Sequence, residues 1–288
     1  MNIALSVVFS GLLIGSVYAL LAAGVTILYG SIWLPNATNG QFFLLSGLLA
    51  WWIAMKTNID PLILVPLVIL LCIPIYWLIE RFLLRRFYEN SERGFIYLFM
   101  TLGIAQILSG IFSNTFGLMT DSFQLQTKLT SLIKIGTFST TLIRLLVLIL
   151  ALTIVIALVL FLRLHKVGRA LRAVFQDREA TEIKGVNVHQ LYKYAYIIGS
   201  AIVSAAGVLY ILAYPVDLSL GWTLNVLAFA MIIVGGPGSV LGCMAVGLIF
   251  GFTRAIVTLF ASPITANFSF YVIMLLILLL KPMGLFRR

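Results

Sequence analysis

The side chains that could do chemistry in this chain are few, and most of them are neutral. Asn36, Thr38, Asn39 and Gln41 fall together in the break Leu34-Pro35-Asn36-Ala37-Thr38-Asn39-Gly40-Gln41. Gln106 and Asn225 are single amides inside other apolar runs, and Gly235-Gly236-Pro237-Gly238-Ser239 forms a second uncharged break. Arg254 is the one strong charge well inside an apolar run. Amides and hydroxyls form hydrogen bonds but do not serve as acids or bases. At membrane depth each needs a partner or a water-lined cavity, so such groups suit the passage of a polar solute better than the making of bonds. Two readings of the breaks stay open: broken helices lining a cavity, as in transporters, or ordinary turns at the interface. Arg254 has the same ambiguity, between a pathway role and snorkelling toward the outer interface.

Enzyme machinery is missing from the sequence. No Gly-Lys pair occurs, so there is no P-loop, and there is no HExxH. His165 and His189 fall in a charged segment where solvated histidines are expected, and Asp60 and Asp217 belong at span ends facing water. Cys72 and Cys243 lie far apart in apolar runs and read as packing residues. The chain is therefore expected to hold neither a cofactor nor a metal of its own.

A second chemical feature is charged. In Lys166–Gly185, Val167, Leu171 and Val174 share one helical face, Arg169, Arg172 and Gln176 another, and Gly185 is a helix stop. A wholly basic helix would suit anionic lipid. Here Asp177, Glu179 and Glu182 make the second half acidic, which favours docking to another protein.

These groups must be positioned by elements that live in a bilayer. Of 288 residues, 62% are hydrophobic and only 10% charged, against roughly half and a quarter in soluble domains. With a mean hydropathy of +1.12, this composition excludes a soluble enzyme, a disordered chain and a disulfide-stapled module. A crossing helix needs about 20 apolar residues. The uncharged stretch Met1–Met55 accommodates two spans. Pro61–Ile79, Gly94–Ser113, Leu145–Leu162 and Tyr194–Tyr214 supply one each, and Leu218–Leu280 supplies three. The N-terminus reads as a retained membrane segment and not as a cleaved leader. The expected fold is all-α, a polytopic bundle of about eight to nine spans with broken helices, forming a single domain over residues 1–288.

The net charge of +10 reports orientation and not nucleic acid. Arg81, Arg85, Arg86 and Arg93 cluster after the third span. Arg163, Lys166, Arg169, Arg172, Arg178, Lys184 and Lys193 follow the fifth, and Lys281, Arg287 and Arg288 close the chain. Together they make 14 of the 19 basic residues. All are expected on the cytoplasmic side, which places the C-terminus there and, by parity over nine spans, the N-terminus outside. Gly11-Leu-Leu-Ile-Gly15 and Gly247-Leu-Ile-Phe-Gly251 are GxxxG stripes, and Ser200, Ser204 and Gly207 repeat at helical spacing. These stripes read as helix contacts within the bundle in preference to a dedicated dimer contact.

Two segments carry a family resemblance. Gly11-Leu-Leu-Ile-Gly-Ser-Val-Tyr-Ala-Leu20, continuing through Gly24, Tyr29-Gly30 and Asn36 to Gly40, resembles the opening of the branched-chain amino acid ABC permeases. Gly168-Arg169-Ala170-Leu171-Arg172-Ala173, through Glu179-Ala180 and Gly185 to Val234-Gly235-Gly236-Pro237-Gly238-Ser239 and Gly242, is similar to that family's C-terminal half. The resemblance implies a multi-pass permease subunit of a bacterial inner-membrane importer. Its implied partners are a second permease subunit in a heterodimer, two ABC ATPase subunits that hold ATP and Mg, a periplasmic binding protein and membrane lipid. It further implies that residues 163–193 form a cytoplasmic coupling segment, in which Arg169, Arg172, Asp177, Glu179, Ala180 and Gly185 seat on the ATPase. The expected cargo is a branched-chain or other hydrophobic amino acid.

The sequence also departs from the family. After Asn36 the family usually has Ala-His-Gly and an acid, whereas here the order is Ala37-Thr38-Asn39-Gly40-Gln41. At the position of Arg254 it often carries a glutamate. These changes bear on cargo: relatives carry urea, short amides or nucleosides, which stay open as alternatives. A stand-alone secondary transporter is the rival from another class, and a structural membrane subunit that moves nothing is a further one.

Overall fold

In lipid the backbone has no solvent partner, so an apolar run must satisfy its own N–H and C=O groups, and a helix does this within one segment. The computed structural model follows that rule; it describes residues 3–57, 59–85, 93–117, 119, 122–125, 127, 131–135, 138–281 and 284–286. In chain order the helices are α1 (Ile3–Ile32), α2 (Asn39–Thr57), α3 (Pro61–Ile79), α4 (Arg93–Phe116), α5 (Leu142–Leu164), α6 (Lys166–Gln176), α7 (Arg178–Ile183), α8 (Val188–Ala213), α9 (Leu220–Gly235), α10 (Val240–Phe260) and α11 (Pro263–Leu280). A π-helical turn, Glu80–Leu84, extends α3. All but α6 and α7 correspond to the expected spans. Their ends run past the sequence estimates, as where α8 starts at Val188, because a solvated charge does not end a helix. A small antiparallel hairpin, β1 (Leu132–Ile135) with β2 (Phe138–Thr141), precedes α5. It departs from an all-helical expectation, since two four-residue strands leave no periodic signal beside the apolar spans.

Contacts between helix ends give the direction of each crossing. Gly30 near the end of α1 and Gly238 after α9 both lie against Phe175 of α6. The Leu285 N–H donates to the Val234 carbonyl at 2.8 Å, and the Lys193 ammonium sits 6.0 Å from the centre of the Trp77 ring. The ends of α1, α3, α9 and α11 therefore share one end of the bundle with α6. At the opposite end, Ser6, Arg144, Tyr214 and Thr258 line one cavity, and Phe123 pairs with Val216. The alternation matches the parity drawn from the charges. Arg86, Arg287, Arg288 and the side chain of Arg93 lie outside the described residues.

Close backbone approach builds the centre. A Cβ added to Gly251 would sit 2.2 Å from the Gly15 Cα, and one on Gly247 would sit 2.7 Å from the Ala19 nitrogen. The two GxxxG stripes thus meet each other within the chain, as bundle packing requires. The Ser204 hydroxyl is hydrogen-bonded to the Tyr76 hydroxyl, and Gly207 faces the Phe43 carbonyl. Over 18-residue apolar stretches, 83% of residues are buried in α8 against 22–28% in α3, α4 and α5, so α8 is central and those three form the periphery.

Candidate functional site

The first break is set by local chemistry. Trp33 adopts φ 56°, a left-handed value costly for a non-glycine residue, and its N–H closes on the Tyr29 carbonyl at 2.7 Å. Pro35 then disfavours helix at the residue before it. Helix resumes at Asn39, and buried side chains hold the stretch between. Asn36 Oδ1 accepts from the Thr38 N–H at 2.8 Å and from the Thr38 hydroxyl at 2.5 Å. Asn39 Nδ2 donates to the Asn36 carbonyl at 2.7 Å. Two other helices reach in: the Ala37 N–H donates to Thr101 Oγ1 at 3.1 Å, and Asn225 Nδ2 donates to the Ala37 carbonyl at 2.8 Å.

Those contacts fix the depth. Thr101 lies eight residues into α4, and Asn225 lies ten residues from the end of α9. At 1.5 Å per residue these are about 12 Å and 15 Å, near the middle of a roughly 30 Å hydrocarbon core. The first break is therefore a broken helix at membrane depth, buried in protein. Short α9, with 16 residues, starts where α2 starts: a Cβ on Gly40 would lie 1.9 Å from the Gly221 carbonyl oxygen.

Around this junction polar atoms are buried without partners. They are Asn39 Oδ1, both amide atoms of Gln41, Tyr196 Oη, Ser200 Oγ and Asn225 Oδ1. Each unpaired group costs about 1–3 kcal/mol in a protein interior. Tyr196 lies one turn along α8 from Ser200, and its ring packs edge-on against Phe42 of α2 at 6.3 Å. Uncharged donors and acceptors gathered at one depth can hold the polar ends of a small solute without adding a charge to the membrane.

The structure sorts the other sequence candidates. Gly235, Gly236 and Pro237 lie at the far end of α9, in a turn with φ 91° at Gly236 and 85° at Gly238, beside α6 and residues 284–286. The second break is an end-of-bundle turn, and it is not brought together with the first. Gln106 is exposed on peripheral α4. Arg254 donates to the Tyr18 hydroxyl near the opposite end, away from the amide cluster. Cys72 and Cys243 are buried and unbridged. Among the described residues no three His, Cys, Asp or Glu side chains gather as a metal site would require.

The charged segment folds as two helices, not one. Asp177 is extended, and its carboxylate caps α7 by accepting from the Ala180 N–H at 2.9 Å. His165, exposed and stacked on Phe161, caps α6 at the Val167 N–H. Leu171, Val174 and Phe175 are buried, while Arg169, Arg172, Asp177, Glu179, Ala180 and Gly185 are exposed. Ile183 is 86% exposed at the tip, and Gly185, at φ 80° with open space around it, ends α7. The segment presents mixed charge and one bare apolar side chain to whatever faces it.

The sequence profile of the family described as branched-chain amino acid transport system, permease component, matches residues 7–280. The chain belongs to this permease family. It is 29% identical over 294 residues to the high-affinity branched-chain amino acid transport system permease protein LivH of Escherichia coli K12, covering 97% of this chain and 94% of the relative. It is 26% identical over 293 residues to BraD of Pseudomonas aeruginosa, with the same coverage. A probable LivH of Methanocaldococcus jannaschii is 26% identical over 296 residues, covering 97% and 90%. No solved structure matches the chain.

In this permease one helix joins the two features. α9 holds Asn225 and Gly221 at the amide cluster, and its other end leads into the glycine turn that touches Phe175. Sequence reading missed Tyr97, Thr101 and Tyr196. Tyrosines in an apolar run look like core, and only Ser200, in the small-residue stripe, carried a usable signal.

Proposed function

We propose that this permease moves branched-chain or other hydrophobic amino acids inward, through a path past the buried amide cluster, driven by ATP hydrolysis on partner subunits. The observation that carries this reading is the set of unpaired amide and hydroxyl atoms at mid-membrane depth, in a chain whose relatives are named for branched-chain amino acid transport. Neutral amides and hydroxyls suit the ammonium and carboxylate of a zwitterion, and apolar walls suit its side chain. The partners are a second permease subunit, two ABC ATPases with ATP and Mg, and a binding protein, all on a bacterial inner membrane. The α6–α7 end faces the cytoplasm, in accord with the basic residues gathered there. The exposed α6–α7 surface is the ATPase contact, and alternating access is a population shift driven by ATP on the partners.

Uptake of labelled leucine by the reconstituted complex tests the cargo. Leucine should enter only with ATP and binding protein, and excess urea or nucleoside should not compete. Entry driven by an ion gradient without the ATPase would favour a secondary transporter instead. Charge reversal at the contact, Arg172→Glu or Glu179→Lys, should cut ATP-driven uptake about tenfold or more by placing a like charge opposite a partner. It should also abolish stimulation of hydrolysis by loaded binding protein. Unchanged stimulation in both variants would remove these residues from the contact.

A further inference from the structure

A cavity of about 260 Å³ opens at the end of the bundle remote from α6–α7, where α1, α5 and α10 meet the residue that follows α8. Two arginines share it. Arg254 comes from α10 and donates to the Tyr18 hydroxyl, while Arg144 comes from the first turn of α5 and lies with its guanidinium 5.3 Å from the Tyr214 ring centre. Among the described residues no carboxylate lines the cavity, and neither arginine is in an ion pair. Ser10 and Thr258 add hydroxyls to the wall.

Two like charges held in one partly apolar recess repel each other, and a shared anion removes that cost. Guanidinium forks match the oxygens of a phosphate or carboxylate. A zwitterion fits poorly, because its ammonium would meet two cations and, among the described residues, no acid. The recess is thereby distinct from the proposed amino acid path at the amide cluster. The surroundings of the mouth choose between anions. Leu5, Val8 and Leu259 are exposed around it, and Phe260 at the end of α10 is 86% exposed. An apolar skirt around a cationic recess matches a headgroup with acyl chains attached and not a free anion from water. Arg254 sits six residues before the end of its helix, about 9 Å, within reach of headgroup depth by snorkelling.

We propose that Arg144 and Arg254 form a phosphate site for an anionic phospholipid of the leaflet facing away from α6–α7. One acyl chain lies along Leu5, Val8 and Leu259, and the phosphate bridges the two guanidinium groups. Lipid at this position pins together the ends of α1, α5 and α10.

Native mass spectrometry of the assembled complex tests this, using phosphatidylglycerol and phosphatidylcholine with identical acyl chains. Phosphatidylglycerol should be retained about tenfold more strongly. Arg144→Gln, at an exposed position where folding is not at stake, should reduce that preference several-fold, and Arg144→Gln with Arg254→Gln should erase it. If the double variant fails to assemble, the Arg144→Gln result decides. Equal retention of the two lipids, or an undiminished preference in Arg144→Gln, would overturn the proposal. Displacement of the lipid by millimolar inorganic phosphate or by free leucine would overturn it too, by assigning the recess to a soluble anion or to cargo.

Discussion

Gly40→Ala should abolish transport and lower the thermal stability of the permease. The added methyl would lie 1.9 Å from the Gly221 carbonyl oxygen and 2.8 Å from the Asn225 nitrogen. Both neighbours are backbone, so no side chain can swing aside. Overpacking of this kind costs about 1–3 kcal/mol even where side chains can adjust. Here the start of α2 must also tilt away from α9, which breaks the bond from Asn225 to the Ala37 carbonyl and leaves another buried group unpaired, at a further 1–3 kcal/mol or so. Because the distortion falls on the amide cluster, uptake should drop by more than about tenfold even in the fraction that folds. Gly110→Ala is the matched control: nothing lies within 4 Å of a Cβ there, and alanine in a helix interior is favoured by roughly 0.5–1 kcal/mol. Melting in detergent and uptake in proteoliposomes should separate the two variants clearly. Equal behaviour would mean that α2 and α9 do not meet as described.

Phe175→Ala should uncouple hydrolysis from uptake. Phe175 is only 6% exposed; its ring lies against Gly30 of α1, while its Cβ and backbone carbonyl lie near Gly238 of the turn after α9. It also borders a cavity of about 140 Å³ that Arg172 and Ser239 help to line. Removing the ring enlarges that cavity, and truncation of a buried phenylalanine costs about 3–5 kcal/mol. The position is at the edge of the bundle, so the lower figure applies and the complex should still assemble. With the ring gone, movement of α6 no longer bears on the end of α1, which leads into the first break. ATP hydrolysis should persist while leucine uptake falls about tenfold, the equivalent of roughly 1.4 kcal/mol of lost coupling. Parallel loss of both activities would reduce Phe175 to a stabilising role.

Much of this is legible in the sequence, because lipid makes the rules strict. Apolar length gave the spans, basic clusters gave the alternation, and the glycine stripes at 11/15 and 247/251 found each other as packing. The Asn36–Gln41 break was visible as a polar interruption, but its depth was not. Gly235-Gly236-Pro237 interrupts an apolar run in the same way, and only contacts with Thr101 and Phe175 distinguish a mid-membrane break from a turn at the end. The kink at Asp177 carried a readable sign, an acidic cap followed by Glu179 in the first turn. It was masked by an apolar face that continues to Phe175. Arg144 and Arg254 are joined by no period or motif, so their meeting is purely tertiary.

On the proposed function, the amide cluster is a gated path whose state follows ATP on the partner subunits through α6 and the end of α1. Labelling tests it directly. A Gln41→Cys permease, with Cys72 and Cys243 replaced by alanine, is reconstituted with its partners and exposed to a small methanethiosulfonate reagent with and without ATP. The labelling rate at position 41 should differ about tenfold or more between the two states, on the scale of a coupling free energy of 1–3 kcal/mol, and Phe175→Ala should collapse the difference. A rate that is the same in both states, with hydrolysis and uptake intact, would contradict the claim and place the path elsewhere in the assembly.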